Sequence, residues 1–272
     1  MRSMDARDTR KWDTVVELND TTKYFRRLKQ GGLFHREYED IYALSHVNLR
    51  VEKGDFVAYA GPNGAGKSTT FKLLCGMLAP NDGSCRLFGM DPIRDRVAVM
   101  RRTGVLFGNR SELWWDQPLR ASFEWKRVVW DIPEADYAAR MERLTEEFKL
   151  NSFMDAFARE LSLGQRMRAN LALTLLHGPE LVLLDEPTLG LDVLAKRELI
   201  ENLRRINREN SVTLVVTSHD MDDLRDMASR LVLLHEGVVR YDGDFDGLLN
   251  SADKRDFEAI IAQMYKDWQP EE

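Results

Sequence analysis

"GPNGAGKST", residues 61–69, decides the fold. It fits G-x-x-x-x-G-K-[ST] with Gly61, Gly66, Lys67 and Ser68. Glycines let the backbone curl, so the run Gly61, Pro62, Asn63, Gly64, Ala65 and Gly66 can turn successive N–H groups toward phosphate oxygens. Thr69 falls in the first turn of the helix that follows, whose positive end adds to the cradle. Lys67 reaches the β- and γ-phosphates, and the Ser68 hydroxyl can ligate Mg²⁺. The context fits as well. The apolar run "FVAYAGP" (56–62) reads as a buried parallel strand, and "STTFKLLCG" (68–76) reads as a helix. Alone, the loop says only that the chain binds a nucleoside triphosphate, because kinases, GTPases and motors share it.

Further residues narrow the choice. "LVLLDEP" (181–187) puts Asp185 and Glu186 at the end of an apolar strand, where two adjacent acids are costly unless used or solvated. Asp185 is placed for the Mg²⁺ shell, and Glu186 is placed to take a proton from an attacking water. His219 ends the next β-rich run, "VVTSH" (215–219), and can share that edge and contact a γ-phosphate. "LSLGQ" (161–165) opens a helix with the Ser162 hydroxyl and the bare backbone of Gly164, a second anion-binding device. Two such devices in one chain are reconciled if the second closes on the nucleotide of another copy.

Outward from these motifs the chain alternates strand and helix. "TVVELND" (14–20) reads as a first strand, and "HVNLRVEKGD" (46–55) as an antiparallel one. "GGLFHREYEDIY" (31–42) reads as an exposed loop or hairpin, and the basic run 23–36 as a solvated loop. The middle third reads as helical over 119–130 and 134–148, with Tyr137, Met141, Leu144 and Phe148 on one face. Asp131 is expected to cap the second of these helices, with Pro133 near its first turn. From 165 the alternation returns. A helix runs to about 177, strand "ELVLLDEP" (180–187) follows, then a helix near 193–208 with Leu199, Leu203 and Ile206 inward. "VTLVVTSH" (212–219) is β-rich, "MDDLRDMA" (221–228) is a short helix, and "RLVLLHEGVVRYDG" (230–243) is a hairpin turning at Glu236 and Gly237. A last helix near 254–268 carries Phe257, Ile260, Ile261, Met264 and Trp268 and is expected to dock on its own domain. Such alternation implies a mostly parallel sheet covered on both faces, with ligands at the carboxyl ends of its strands.

Bulk properties exclude other classes. The 272 residues are 43% apolar and 31% charged, which suits a large globular α/β domain. A net charge of −6 argues against a protein that coats nucleic acid over its whole surface, and no nucleic-acid partner is expected. Cys75 and Cys85 lack Cys or His neighbours at ligand spacing, so both read as reduced buried thiols. The polar start "MRSMDARDTRKWD" (1–13) has no apolar core of a signal peptide, and no run is long enough to span a bilayer. A cytosolic location is expected, with any membrane supplied by another polypeptide.

In this order and spacing, "GPNGAGKST", "LSLGQ", "LVLLDEP", "TLGLD" (188–192) and "TSH" (217–219) resemble the ATP-binding cassette of ABC transporters. The resemblance covers 14–245 and implies the ABC ATPase fold. That fold has a P-loop NTPase core, an N-terminal antiparallel β subdomain and a helical insert at about 109–165, leaving 246–272 as a helical tail. It implies ATP and Mg²⁺ as cofactors. It also implies a head-to-tail dimer, as a homodimer or a paired subunit, in which each ATP meets 61–69 of one copy and Ser162, Gly164 and Gln165 of the other. Asp192 would lie on that interface, and Phe25, or in second place Tyr24, would stack on adenine. Integral membrane permease subunits would hold the chain at the cytoplasmic face of the cell membrane. "GVLFGNRSELWW" (104–115) and "LSLGQRMRANLAL" (161–173) most resemble the ABC-2 type exporter branch.

Two residues depart from the family's pattern. Leu163 stands where the signature loop usually has its first glycine. Asn109 stands where a Mg²⁺-binding glutamine is usual, with a side chain one methylene shorter, so slower or less tightly coupled hydrolysis is expected. A soluble ABC-type ATPase of repair or translation is the alternative, but relatives of that kind carry long inserts or tandem cassettes. A scaffold without turnover is disfavoured by Lys67, Asp185, Glu186 and His219 all being present. In "GVLFGNRSELWWDQP" (104–118), the resemblance makes Phe107, Leu113, Trp114 and Trp115 a seat for a membrane subunit's coupling helix. One tryptophan ring is expected to be buried and the other to face that groove.

Overall fold

Two continuous apolar runs, "LVLLD" and "TLVVT", become strands with every residue but the terminal Asp185 buried, as parallel strands covered on both faces require. The structure, a computed structural model, describes residues 13–29, 38–108 and 111–249. Its strands are β1 (Thr14–Leu28), β2 (Tyr38–Glu52), β3 (Phe56–Ala60), β4 (Asp82–Leu87), β5 (Thr103–Phe107), β6 (Leu181–Asp185), β7 (Thr213–Thr217), β8 (Arg230–His235) and β9 (Val238–Asp244). Its helices are α1 (Lys67–Leu74), α2 (Arg96–Arg101), α3 (Leu119–Val129), α4 (Glu134–Glu147), α5 (Leu163–Leu175), α6 (Val193–Asn210), α7 (Met221–Met227) and α8 (Phe245–Leu249). The described residues divide into two units, one within 13–53, 59–99 and 230–249, the other within 54–58 and 100–229.

The first unit holds an antiparallel sheet ordered β2-β1-β4. Its core rows are cross-strand sets. Val16 faces Val51 and Leu87, and Leu18 faces Leu49 and Cys85, all buried. Burying each Val or Leu contributes roughly 1.5–3 kcal/mol, which fixes the register against a one-residue slip. Farther along, β1 and β2 continue as an exposed ribbon in which Tyr24 faces Tyr42 and Arg26 faces Asp40. Residues 38–42 of the expected loop are therefore strand, while 31–37 lie outside the described residues. Strands β8 and β9 form the expected hairpin, with positive φ at both Glu236 (49°) and Gly237 (75°), as a two-residue turn of matching twist demands.

The second unit carries parallel strands in the order β5-β6-β7-β3. Across it Phe107, Asp185 and Thr217 stand in register, so the chain leaves three strands along one carboxyl edge. Helices α3 and α4 form where the 3.6-residue pattern placed them, burying Leu119, Phe123 and Leu144, with Phe148 buried at the C-cap of α4. The cap expected from Asp131 is absent. Pro133 occupies the N-cap of α4, and Asp131 adopts φ 49° and pairs with Arg101 at 3.6 Å. Proline pre-sets the entry angle, so the acid two residues earlier is left outside the first turn. The helix expected near 254–268 lies outside the described residues.

Candidate nucleotide-binding site

The phosphate loop is closed from below by its own unit. A Cβ on Gly61 would meet the Leu234 carbonyl oxygen at 2.2 Å, and one on Gly66, at φ 111°, the Ala43 oxygen at 2.4 Å. Glycine is therefore required at both positions by backbone approach. The Gly237 N–H donates to Ala65 O at 3.0 Å and bolts the β8–β9 turn to the loop. Beneath it, fully buried Tyr59 shares a 3.0 Å hydrogen bond with Thr70, whose hydroxyl donates to Gly66 O. Lys67 is 8% exposed, and its ammonium donates to Gly61 O at 2.5 Å and Pro62 O at 3.2 Å. Ser68 is exposed in the first turn of α1. Cys75 and Cys85 are buried and unbridged, with burial pushing both thiols up to about 12, so neither is a nucleophile.

In the second unit the carboxyl edge is built around Thr217. Its hydroxyl donates to Asp185 Oδ1 at 2.7 Å and accepts from the Glu186 N–H at 3.0 Å. Glu186 sits at φ 55°, a region L-residues avoid and in which strain gathers at functional positions. One of its oxygens accepts the His219 N–H at 3.1 Å, and the other lies 3.2 Å from His219 Nε2. The Glu186 carboxylate is thus mostly buried, while the imidazole is half exposed. A carboxylate held this way can receive a proton from a water on its open side.

The 161–165 segment is a capping box. Ser162 Oγ accepts from the Gln165 N–H at 3.2 Å, and Gln165 Oε1 accepts from the Ser162 N–H at 2.8 Å. A Cβ on Gly164 would meet the Cβ of Ala195 at 3.0 Å, so this loop touches the start of α6. Asp192 caps that helix, accepting from Leu194 N at 3.0 Å and Ala195 N at 2.9 Å. Leu163, Leu189, Val193 and Leu194 are all exposed around these two segments.

Phe25 is exposed on the ribbon, with Lys23 Nζ 5.4 Å from its ring, while Tyr24 packs on Tyr42 at 5.5 Å. Asn109 lies outside the described residues. The expectation of one buried tryptophan is corrected: Trp114 is 42% and Trp115 51% exposed. Leu113 takes the buried position instead. Trp114 packs on Trp125 at 5.9 Å, and Trp115 lies under the Arg166 guanidinium at 4.6 Å. Three groups that sequence reasoning missed organise these regions: Thr217, Lys196 and the Glu112–Lys126 ion pair at 2.6 Å. Their partners lie 14 or more residues away and leave no local pattern.

The family model described as ABC transporter matches residues 44–189. The chain belongs to this family. Among its relatives, an "ABC transporter ATP-binding protein NatA" of Bacillus subtilis (strain 168) is 29% identical over 91% of this chain and 96% of that one. A "Probable multidrug ABC transporter ATP-binding protein YbhF" of Escherichia coli (strain K12) is 33% identical over 95% of this chain, which spans 43% of that longer protein. Two solved structures share the fold. An ATP-binding subunit of an ABC transporter matches 92% of this chain and 99% of its own with TM-score 0.76 at 24% identity. A dimeric ATP-binding cassette in a post-hydrolysis state, bound to ADP and Pi, matches 84% of this chain and 98% of its own with TM-score 0.70 at 26% identity. The ABC family chain is accordingly an α/β ATP-binding protein and an ATPase. Among the described residues, no helix of this ABC family chain is long and apolar enough to cross a membrane.

Proposed function

We propose that the chain powers export through separate membrane subunits, pairing head to tail with a second ATPase subunit at the cytoplasmic face of the cell membrane. Residues 14–245 form its nucleotide-binding domain, and 246–272 its tail. Gly61, Pro62, Asn63, Gly64, Ala65, Gly66 and Thr69 wrap the phosphates, Lys67 neutralises them, and Phe25 stacks on the base. Ser162, Gly164 and Gln165 of the other copy close over the γ-phosphate, with Asp192 at the seam. Exposure of Leu163, Leu189, Val193 and Leu194 beside those residues supports a partner there. The observation that carries the catalytic part is the hold of His219 on both oxygens of a strained Glu186. Glu186 takes the proton of the attacking water, and His219 fixes the carboxylate and faces the phosphate.

Hard oxygen donors suit Mg²⁺, and the Ser68 hydroxyl and the Asp185 carboxylate are of that kind. Thr217 occupies one Asp185 oxygen and leaves the other for a cation. Asn109 would complete the donors. The ion would offset charge on the β- and γ-phosphate oxygens.

Export is supported by the multidrug transporter named for one relative, and a membrane partner by the exposed aromatics. Trp114, Trp125, Val128 and Tyr137 line an open groove of about 510 Å³, the seat proposed for a helix of a membrane subunit. The test is affinity purification from detergent-solubilised membranes. Recovery of a multi-span membrane protein whose cargo leaves the cell supports the reading. Recovery without one, with undiminished ATP hydrolysis, sinks it.

A further inference from the structure

Helices α6 and α7 begin immediately after the two segments that carry Asp192 and His219. A single cation joins them. Lys196, one turn into α6, places its ammonium 2.9 Å from Asp220 Oδ2 and 2.9 Å from Asp223 Oδ2. Asp220 caps α7 by accepting the Asp223 N–H at 3.0 Å, and its own N–H donates to Ser218 Oγ at 3.1 Å. His219 lies between Ser218 and Asp220, so both its neighbours are pinned. Its N–H in turn holds Glu186 Oε2 at 3.1 Å.

The charges favour this arrangement. Asp223 is 8% exposed at its side chain, and a buried carboxylate without a partner is strongly unfavourable. The Asp223 carboxylate facing the ammonium, and then the Asp220 carboxylate that accepts from it, raise the Lys196 pKa. Burial pulls the Asp220 carboxyl up, but the Lys196 ammonium and the N–H groups of α7 outweigh it and hold it below its ordinary value. Both shifts favour the charged forms of Lys196 and Asp220.

We infer that Lys196 is a positioning residue for ATP hydrolysis: it clamps the start of α7 to α6 and thereby sets the His219 main chain on the Glu186 carboxylate. The inference rests on the catalytic reading of Glu186 and His219. Nothing nearer to the nucleotide is required of Lys196, whose ammonium is committed to the two aspartates. Losing the clamp lets residues 218–220 move as a unit, so the carboxylate loses its N–H donor. Binding of ATP at 61–69 is untouched.

The test uses the purified full chain with Mg²⁺ and ATP, and the variants Lys196→Met, Lys196→Arg, His219→Ala, Glu186→Gln and the double variant Lys196→Met/Glu186→Gln. For Lys196→Met, kcat should fall about tenfold with KM for ATP within about twofold, and Lys196→Arg should restore most of the rate. In the double variant the two losses should be far from additive, because Lys196 acts through the Glu186 carboxylate that the His219 N–H holds. Unchanged kcat for Lys196→Met overturns the inference, and so does a fully additive double variant. A fall in kcat matched by a rise in KM, with no recovery by Lys196→Arg, also overturns it and marks a purely structural residue. If His219→Ala and Glu186→Gln both hydrolyse ATP at the unaltered rate, the catalytic reading itself fails first, and that result is distinct from failure of Lys196 alone.

Discussion

The main-chain N–H of His219 donates to Glu186 Oε2 at 3.1 Å while its ring Nε2 lies 3.2 Å from Oε1. One residue thus grips both carboxylate oxygens, and the strained φ of 55° at Glu186 aims them. Glu186→Gln keeps the shape and the acceptor oxygen but removes the base. Its kcat should fall by about 10²–10⁴, with ATP affinity close to unchanged. Steady-state phosphate release and equilibrium nucleotide binding, measured together, check this. A parallel loss of both would place Glu186 in binding rather than in proton transfer.

His177 makes the fold sensitive to acid. Burial, then the nearby Lys126 charge, lower its pKa from near 6.5 to about 4. The folded state therefore holds the ring neutral while the unfolded state takes a proton between those values. Stability from this group is complete above about pH 6.5 and is lost as pH falls toward 4, by up to about 3 kcal/mol. The ring stacks on Trp130 at 4.1 Å, which a phenyl ring can imitate. His177→Phe should flatten the dependence of the urea midpoint between pH 5 and 7.5. An equally steep dependence in the variant would assign the acid sensitivity elsewhere.

Lys126 is a buried cation with a half-exposed partner. Its side chain is 3% exposed, and Glu112 Oε2 lies 2.6 Å away. Glu112→Gln leaves the ammonium with a weaker acceptor and should destabilise by about 1–2 kcal/mol, less than a fully buried pair because Glu112 faces water. Lys126→Met, which removes the charge and keeps the stem, should cost less than Lys126→Ala. Urea unfolding ranks the three, and equal losses for Met and Ala would show that charge, not packing, governs the site.

Trp115 lies under Arg166 at 4.6 Å, and Arg166 Nη2 donates to Leu161 O at 3.2 Å, one residue before Ser162. A load on the exposed ring therefore has a short path to the 161–165 segment. Trp115→Ala should lower transport severalfold while sparing basal ATP hydrolysis, with at most about 1 kcal/mol lost in stability. Vesicle transport and hydrolysis on the same preparation separate the outcomes. Equal loss of both, with a lowered unfolding midpoint, would make the ring part of the core.

Much of this was legible in residue order. The glycine loop at 61–69, the apolar runs of β3, β6 and β7 and the periodic stripe of α4 are local patterns, and each became the element its pattern implied. Strand β4 was missed because "DGSCRL" is short and polar, and only its pairing with β1 makes it a strand. Strands β1 and β2 run longer than read, because their far halves form a ribbon with little core to impose alternation. The tryptophan pair misled because aromatic bulk suggests burial, whereas exposure depends on which neighbour, here Leu113, fills the core. Thr217 and Lys196 were silent because their partners, 32 and 24 residues away, meet them only in the folded sheet edge.

The central claim is that two copies close over ATP, with hydrolysis at Glu186. The most direct measurement is light-scattering mass of Glu186→Gln on a sizing column, with and without Mg²⁺ and ATP, with bound nucleotide counted in each peak. The account predicts a monomer without nucleotide and a dimer carrying two ATP molecules with it. A mass that stays monomeric at saturating ATP, in a variant that still hydrolyses ATP at the unaltered rate, would contradict it.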